Sequence, residues 1–198
     1  MTIRPFMLAA IAGSLSFCAS EPIPINYYLL SGNAPQGVTV QAAENKKTLV
    51  LETVQVADFL RQSGIVMQTA DTQVQVSKRH LWAETLDTAL PKLLFKELQK
   101  QSNDFNFYLK YSDFVPRSDF KLLVQIDSFQ ATEQGEVICS GRYQIINETD
   151  HSQIVTVDFK FNRELQVDGY DHAVEQLRLL VSDIAQSAVE SANTLVAI

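Results

Sequence analysis

The stretch from Phe120 to Leu165 constrains the fold more than any other part of the chain. From Ile154 to Leu165 the side chains alternate, with Val155, Val157, Phe159 and Phe161 on one side and Thr156, Asp158, Lys160 and Asn162 on the other. A period of two marks a strand with one buried face. Two further strand-like runs precede it, Phe120 to Phe129 and Val137 to Ile146, joined by Gln134-Gly135 and by Asn147 to Ser152. Links this short connect neighbouring strands antiparallel, because a parallel return needs a dozen residues or more. An antiparallel meander is therefore expected. Its apolar face needs a cover, and the C-terminus offers one. From Asp171 to Val196, Val174, Leu177, Val181, Ile184, Ala188 and Leu195 recur at three- and four-residue steps, while Glu175, Arg178, Asp183 and Glu190 fall largely away from them. Such a stripe belongs to an amphipathic helix lying on a sheet. A heptad-type contact with a partner is the alternative, for which the run is short.

A second helix is expected over Glu84 to Lys100, where Leu86, Leu90, Leu93, Leu94 and Leu98 gather on one face. Pro91 lies inside it and should kink it or mark a restart. Weaker strand signals occur at Asn26 to Ser31, Thr48 to Val56, Val66 to Gln68, Val74 to Val76 and Asp104 to Tyr111, with turn material at Gly32 to Gly37 and at Asp71-Thr72. In Thr48 to Val56 simple alternation sets Leu49, Leu51, Thr53 and Gln55 against Val50, Val54 and Val56, so both faces would be covered. The fold class that follows is α+β: a mixed, mostly antiparallel sheet with two main helices packed on one face.

The 198 residues suit one domain, and 46% hydrophobic with 20% charged residues is an ordinary globular balance. The formal net charge of −7 comes without a basic cluster. That excludes nucleic acid as a partner, since phosphate neutralisation needs Lys and Arg. It also disfavours electrostatic attraction to anionic headgroups, so any lipid contact has to be apolar.

The first residues read as an export signal. Arg4 stands near the amino terminus, and an apolar run from Pro5 to Phe17 has the length of a signal-peptide core, too short to span a bilayer. Leu15-Ser16-Phe17-Cys18 looks like a bacterial lipobox, in which the cysteine becomes the acylated first residue of the mature protein. Phe17 departs from the usual Gly, Ala or Ser at that position. Ordinary cleavage after Ser20 is the alternative. The absence of Asp after Cys18 resembles outer-membrane sorting. Residues 1–17 are thus expected to be a lipoprotein signal, 18–25 a tether containing Pro22 and Pro24, and 26–198 a single domain.

Chemistry-bearing constellations are scarce. His80, His151 and His172 are far apart and fit no metal-ligand spacing. There is no Gly-rich phosphate loop and no GxSxG elbow, and the chain has only 7 Gly from which to build a nucleotide loop. Cys139 lies in an alternating apolar stretch and reads as a buried thiol, the alternative being a reactive one paired with a histidine. Asp58, Glu84 and Asp127 are not singled out by any pattern, and Asp58 with Arg61 is equally a surface ion pair. Asn147-Glu148-Thr149 is a sequon that matters only in a secreted eukaryotic chain. Trp82, the sole tryptophan, is either a core anchor at the start of the first helix or, with Leu81, part of a subunit or lipid contact. Phe59 and Leu60 pose the same question. No catalytic residue, metal or cofactor is expected.

Several stretches together carry a family resemblance: Tyr27-Tyr28-Leu29-Leu30, then Val54 to Val66 with Asp58-Phe59-Leu60-Arg61, then His80-Leu81-Trp82-Ala83-Glu84 before the leucine-rich helix. With the lipobox, the meander and the final helix, they resemble the PqiC family of ABC-type transport auxiliary lipoproteins over essentially the whole mature chain. Thr85 departs from the family, whose members often have Pro there. The resemblance implies a non-enzymatic lipoprotein anchored in the outer membrane through Cys18 and facing the periplasm. It implies partners as well: an MCE-domain tunnel protein, that protein's inner-membrane partner, and further copies of this chain in a ring. Lipid would move between membranes through the assembly, with this chain as a docking part. Two other functions remain open, a soluble periplasmic module holding a small apolar ligand between helix and sheet, and an envelope enzyme of unrecognised type.

Overall fold

The computed structural model describes residues 23–31, 46–102, 104–112, 117–150 and 154–196. Cys18, the export signal, the start of the tether, the turn at Gly32 to Gly37 and His151 lie outside the described residues. In chain order the elements are β1 (Asn26–Tyr28), β2 (Lys47–Val56), a single 3₁₀ turn (Asp58–Leu60), β3 (Gly64–Ala70), β4 (Gln73–Trp82), α1 (Leu86–Gln101), β5 (Phe105–Leu109), β6 (Phe120–Thr132), β7 (Glu136–Asn147), β8 (Ile154–Glu164) and α2 (Tyr170–Val196).

Strand β6 is the hub. Along one side it pairs antiparallel with β7 from Phe120↔Asn147 to Ala131↔Val137, and β8 continues that meander. Its other side is shared. The first half pairs parallel with β2, which carries β5 beyond it, and the last residues Ala131 and Thr132 pair parallel with β3. Beyond β3 the sheet runs to β4 and then to β1, a short parallel strand at the rim. The fold is α+β with a mixed sheet, whose longest pairings are the antiparallel ones of the meander.

Both helices cover one face. Leu122, Val124, Ile126 and Phe129 of β6, with Cys139, Tyr143 and Ile145 of β7, are buried against Leu177, Leu180, Val181, Ile184 and Ala188 of α2 and the leucines of α1 in one core. Burying an aliphatic side chain is worth about 1.5–3 kcal/mol relative to leaving it in water, so this layer is the main source of stability. The opposite face carries Gln125, Asp127, Arg142, Gln144, Asp158 and Lys160, and is polar. Arg163 is an exception on the covered side, where its guanidinium donates to both carboxylate oxygens of Asp183 on α2 at 2.8 and 2.9 Å.

Four local features depart from simple periodicity. In β2 the register against β6 shifts between Leu51 and Thr53, which leaves Glu52 as an extra residue. The bulge reverses the alternation beyond it. Val54 and Val56 therefore share the face of Leu49 and Leu51 instead of opposing them, and pair with the core-facing Val124 and Ile126 of β6. Second, α1 runs unbroken through Pro91. A proline there removes one backbone bond to the carbonyl of Asp87, near the exposed start of the helix, where that carbonyl can turn to water. Third, the short strand signals around Asp71-Thr72 belong to a full hairpin, and Trp82 closes β4 rather than opening a helix. Finally, β1 stops at Tyr28, short of the expected Ser31.

Candidate functional site

The rim formed by β1 has an unusual surface. β1 lies parallel to the end of β4 with Asn26 opposite His80, Tyr27 opposite Leu81 and Tyr28 opposite Trp82. Tyr28 and Leu30 turn inward, Leu30 fully buried and Tyr28 packed against the core. The intervening residues turn out. Ile23, Ile25, Tyr27 and Leu29 are 64, 52, 66 and 50% exposed. Pro24 and Asn26 are exposed as well, and of the four only Tyr27 lies within β1, so the rim carries a patch of apolar side chains where an edge strand is usually blunted with charge. Val74 and Val76 of β4 are exposed too, but lie towards the β3–β4 hairpin, away from the residues that pair with β1.

Local bonds hold this rim in place. The amide of Ala83 donates to the carbonyl of Tyr28 at 2.8 Å, and that of Trp82 to the carbonyl of Ser63 at 2.7 Å. The Tyr28 hydroxyl and His80 Nδ1 share a hydrogen bond of 2.8 Å. The His80 ring stacks on Tyr170 at the start of α2, centroids 3.8 Å apart and planes 7° from parallel. Partial burial, followed by the nearby Asp171 and Tyr170, pushes the Tyr28 phenol above its ordinary pKa, so it stays a neutral hydrogen-bonding group. Within β4, Ser77 Oγ accepts from the amides of Arg79 and His80 at an irregularity of the ladder with β3. That irregularity leaves Gly64 so close to Ser77 that a Cβ would sit 2.1 Å from the Ser77 carbonyl oxygen.

The four apolar residues singled out by the sequence separate into two pairs. Leu60 and Trp82 are in the core, Trp82 against Phe129 with ring centroids 6.5 Å apart. Phe59, 37% exposed on the 3₁₀ turn, and Leu81, half-buried beside Tyr27, reach the surface. The acylation candidate Cys18 lies outside the described residues. Sequence reasoning missed the exposed apolar patch on and beside β1. Its letters, Ile23, Ile25, Tyr27 and Leu29, were present, two of them in a segment read as tether, but burial cannot be told from exposure by apolar letters alone.

A second feature is a groove of about 240 Å³ between the end of the sheet and the start of α2. Ile65, Met67, Ala131, Leu165 and Tyr170 give it apolar walls, and Thr132 lines it with a buried hydroxyl that has no hydrogen-bond partner. Glu133 and Asp168 stand among its lining residues. It can receive a small apolar group.

The described residues hold no cluster of His, Cys, Asp or Glu suited to a metal ion. Cys139 is fully buried, and burial, with Asp183 nearby, pushes its thiol far above the ordinary range. A thiol kept protonated in this way is a poor nucleophile. His172 is engaged with Glu175 on its own helix at 3.6 Å, and Asp58 with Arg61 at 3.3 Å on the open surface. No helix among the described residues is long and apolar enough to cross a membrane.

Comparison with known proteins agrees with this picture. The family model of the ABC-type transport auxiliary lipoprotein component matches residues 28–189. The intermembrane transport lipoprotein PqiC of Escherichia coli (strain K12) is 27% identical over 193 residues, covering 98% of this chain and all of that protein. Among solved structures, an uncharacterized protein superposes with a TM-score of 0.70 at 25% identity, over 86% of this chain and 99% of the other. A Xanthomonas campestris protein shares the fold with a TM-score of 0.61 at 13% identity, over 73% and 82% of the two chains.

Proposed function

The chain belongs to the family of ABC-type transport auxiliary lipoprotein components, and from that premise we propose that it is a non-enzymatic docking part of a lipid transport system spanning the periplasm. Cys18 would carry the acyl anchor in the outer membrane. The folded body would meet an MCE-domain tunnel protein that reaches across from its inner-membrane partner, with several copies of this chain arranged in a ring. The observation that carries the reading is the match to an intermembrane transport lipoprotein from end to end of both chains. The lipobox-like Leu15 to Cys18 supports the anchor. A protonated, buried Cys139 and a His80 ring stacked on Tyr170 fit a scaffold role.

The test is purification of the tagged protein from the envelope in detergent at native expression, with partners and oligomeric mass read together. Recovery of an MCE protein with a multimer of this chain is expected. A lone monomer without such a partner refutes the docking role. Cys18→Ala should release the chain into the periplasm, and continued tight membrane association would refute the anchor.

The groove at the start of α2 favours a second reading, a periplasmic module that holds a small apolar ligand between helix and sheet. Native mass spectrometry distinguishes it, since a monomer retaining a bound lipid would support this reading over the docking one.

A further inference from the structure

We propose that the exposed apolar residues on and beside β1, Ile23, Ile25, Tyr27 and Leu29, rest on the lipid surface beside the anchor, so that the sheet meets the membrane through its β1 rim. The inference rests on the reading of Cys18 as the acylated residue, and three observations point to lipid as the occupant. The first is reach. Only four residues separate Cys18 from Ile23, and a fully extended chain advances at most ~3.3–3.6 Å per residue, so the patch starts within roughly 18 Å of the acylated cysteine. Its four apolar side chains then face whatever lies at the bilayer surface.

The second observation is the backbone. Strand addition by a second copy or a partner peptide needs a run of free amides along the rim. Pro24 stands between Ile23 and Ile25 and has no amide to give, and β1 itself is only three residues long. A rim of this kind offers side chains rather than a ladder. The third is composition. Tyr27 among aliphatic residues is the amphipathic type that settles at the membrane–water boundary.

The consequence is orientational. An acyl anchor alone fixes one point of the chain and leaves the orientation of the domain free. A rim contact would remove that freedom and hold the rest of the sheet in a defined attitude towards the periplasm.

The experiment uses the full acylated chain, its anchor verified by intact mass, in vesicles of phosphatidylethanolamine and phosphatidylglycerol. Leu29→Cys carries an environment-sensitive fluorophore. Labelling is selective, because the remaining thiol, Cys139, is buried. Thr88→Cys, on the exposed side of α1, is the control. The expected result is a blue-shifted emission at position 29 that spin-labelled lipid quenches, with a water-like, unquenched probe at position 88. Replacing Ile23, Ile25 and Tyr27 together by Ser in the Leu29→Cys background should abolish the shift while circular dichroism stays unchanged. A water-like probe at position 29 on vesicles bearing the acylated protein overturns the proposal. So does a blue shift that lipid does not quench, which would mean that a second copy covers the patch. A mass lacking acyl groups refutes the anchor, and with it the premise, independently of the fluorescence.

Discussion

Replacing Gly141 by Ala should destabilise this fold more than the addition of one methyl group suggests. Gly141 lies in the middle of β7, opposite Ile126 of β6 and Phe159 of β8. Immediately beyond Ile126 the β6–β7 ladder shifts register, and Asp127 is the extra residue. A bulge tightens the local twist and brings the two backbones together. A Cβ built on Gly141 falls 2.0 Å from the carbonyl oxygen of Gln125, 3.0 Å from its carbonyl carbon and 3.1 Å from Cα of Ile126. All three are backbone atoms, so no side chain can swing aside. Restoring ordinary van der Waals separation would require the strands to part by roughly 1 Å or more. Overpacking of this kind costs up to about 3 kcal/mol, and ladder hydrogen bonds stretched by the separation add about 1 kcal/mol each. A loss of about 3 kcal/mol is a large share of the ~5–15 kcal/mol available to a folded chain. For a protein of this length it corresponds to a fall in Tm of about 6–12 °C. The assay is urea and thermal unfolding followed by circular dichroism, on the unanchored Cys18→Ala chain with and without Gly141→Ala. Lys160→Ala, on the exposed face of β8, serves as a control expected within about 0.5 kcal/mol of the parent. A Gly141→Ala variant within about 1 kcal/mol of the parent would refute the argument that backbone approach at the bulge requires glycine.

Three further outcomes are expected. Tyr143 is buried on the covered face, and its hydroxyl meets the Ser187 carbonyl at 2.9 Å and the Ser187 and Ser191 hydroxyls at 2.8 Å. Tyr143→Phe removes that knot between β7 and α2 and should cost about 1 kcal/mol in urea unfolding; no change would mean that water replaces the hydroxyl without penalty. Cys139 should resist alkylation at pH 8 in the folded protein and react on unfolding, because burial holds the thiol protonated; rapid modification of the folded chain would contradict this. The hydrogen bond from Arg142 to Asp158, at 2.5 Å, together with the guanidinium charge, holds the Asp158 carboxyl below the ordinary range. A depressed folded-state pKa contributes stability above the ordinary carboxylate pKa, and that contribution is lost as pH falls through the folded value. In an NMR titration Arg142→Ala should move Asp158 up towards the ordinary range, and an unmoved midpoint would show that Arg142 is not the cause.

The meander, the two helices and the helix-covered face were legible in the sequence because each is written as a local period. Val155 to Phe161 and Val174 to Leu195 announce their buried sides whatever they pack against. The face of Val54 and Val56 was not legible, because one extra residue at Glu52 inverts everything after it, and a bulge is set by the partner strand. Nor was the continuity of α1 through Pro91. Local sterics argue for a break there, and the packing of Leu90, Leu93, Leu94 and Leu98 overrides them. The candidate site divides in the same way. Phe59, Leu60, Leu81 and Trp82 are equally apolar as letters, and only the sheet decides that Leu60 and Trp82 go inside while Phe59 and Leu81 reach the surface.

By itself the sequence determined the class of fold, the acidic balance of charge, and the resemblance to a lipoprotein family, since composition, periodicity and motifs are properties of the chain taken locally. Tertiary structure alone decided that β6 is shared by β2, β3 and β7, that β1 closes on the end of β4, and that Ile23, Ile25, Tyr27 and Leu29 are exposed at a rim. The physical reason is that a strand's period states that its two faces differ, while only its neighbours in space determine which of them meets water.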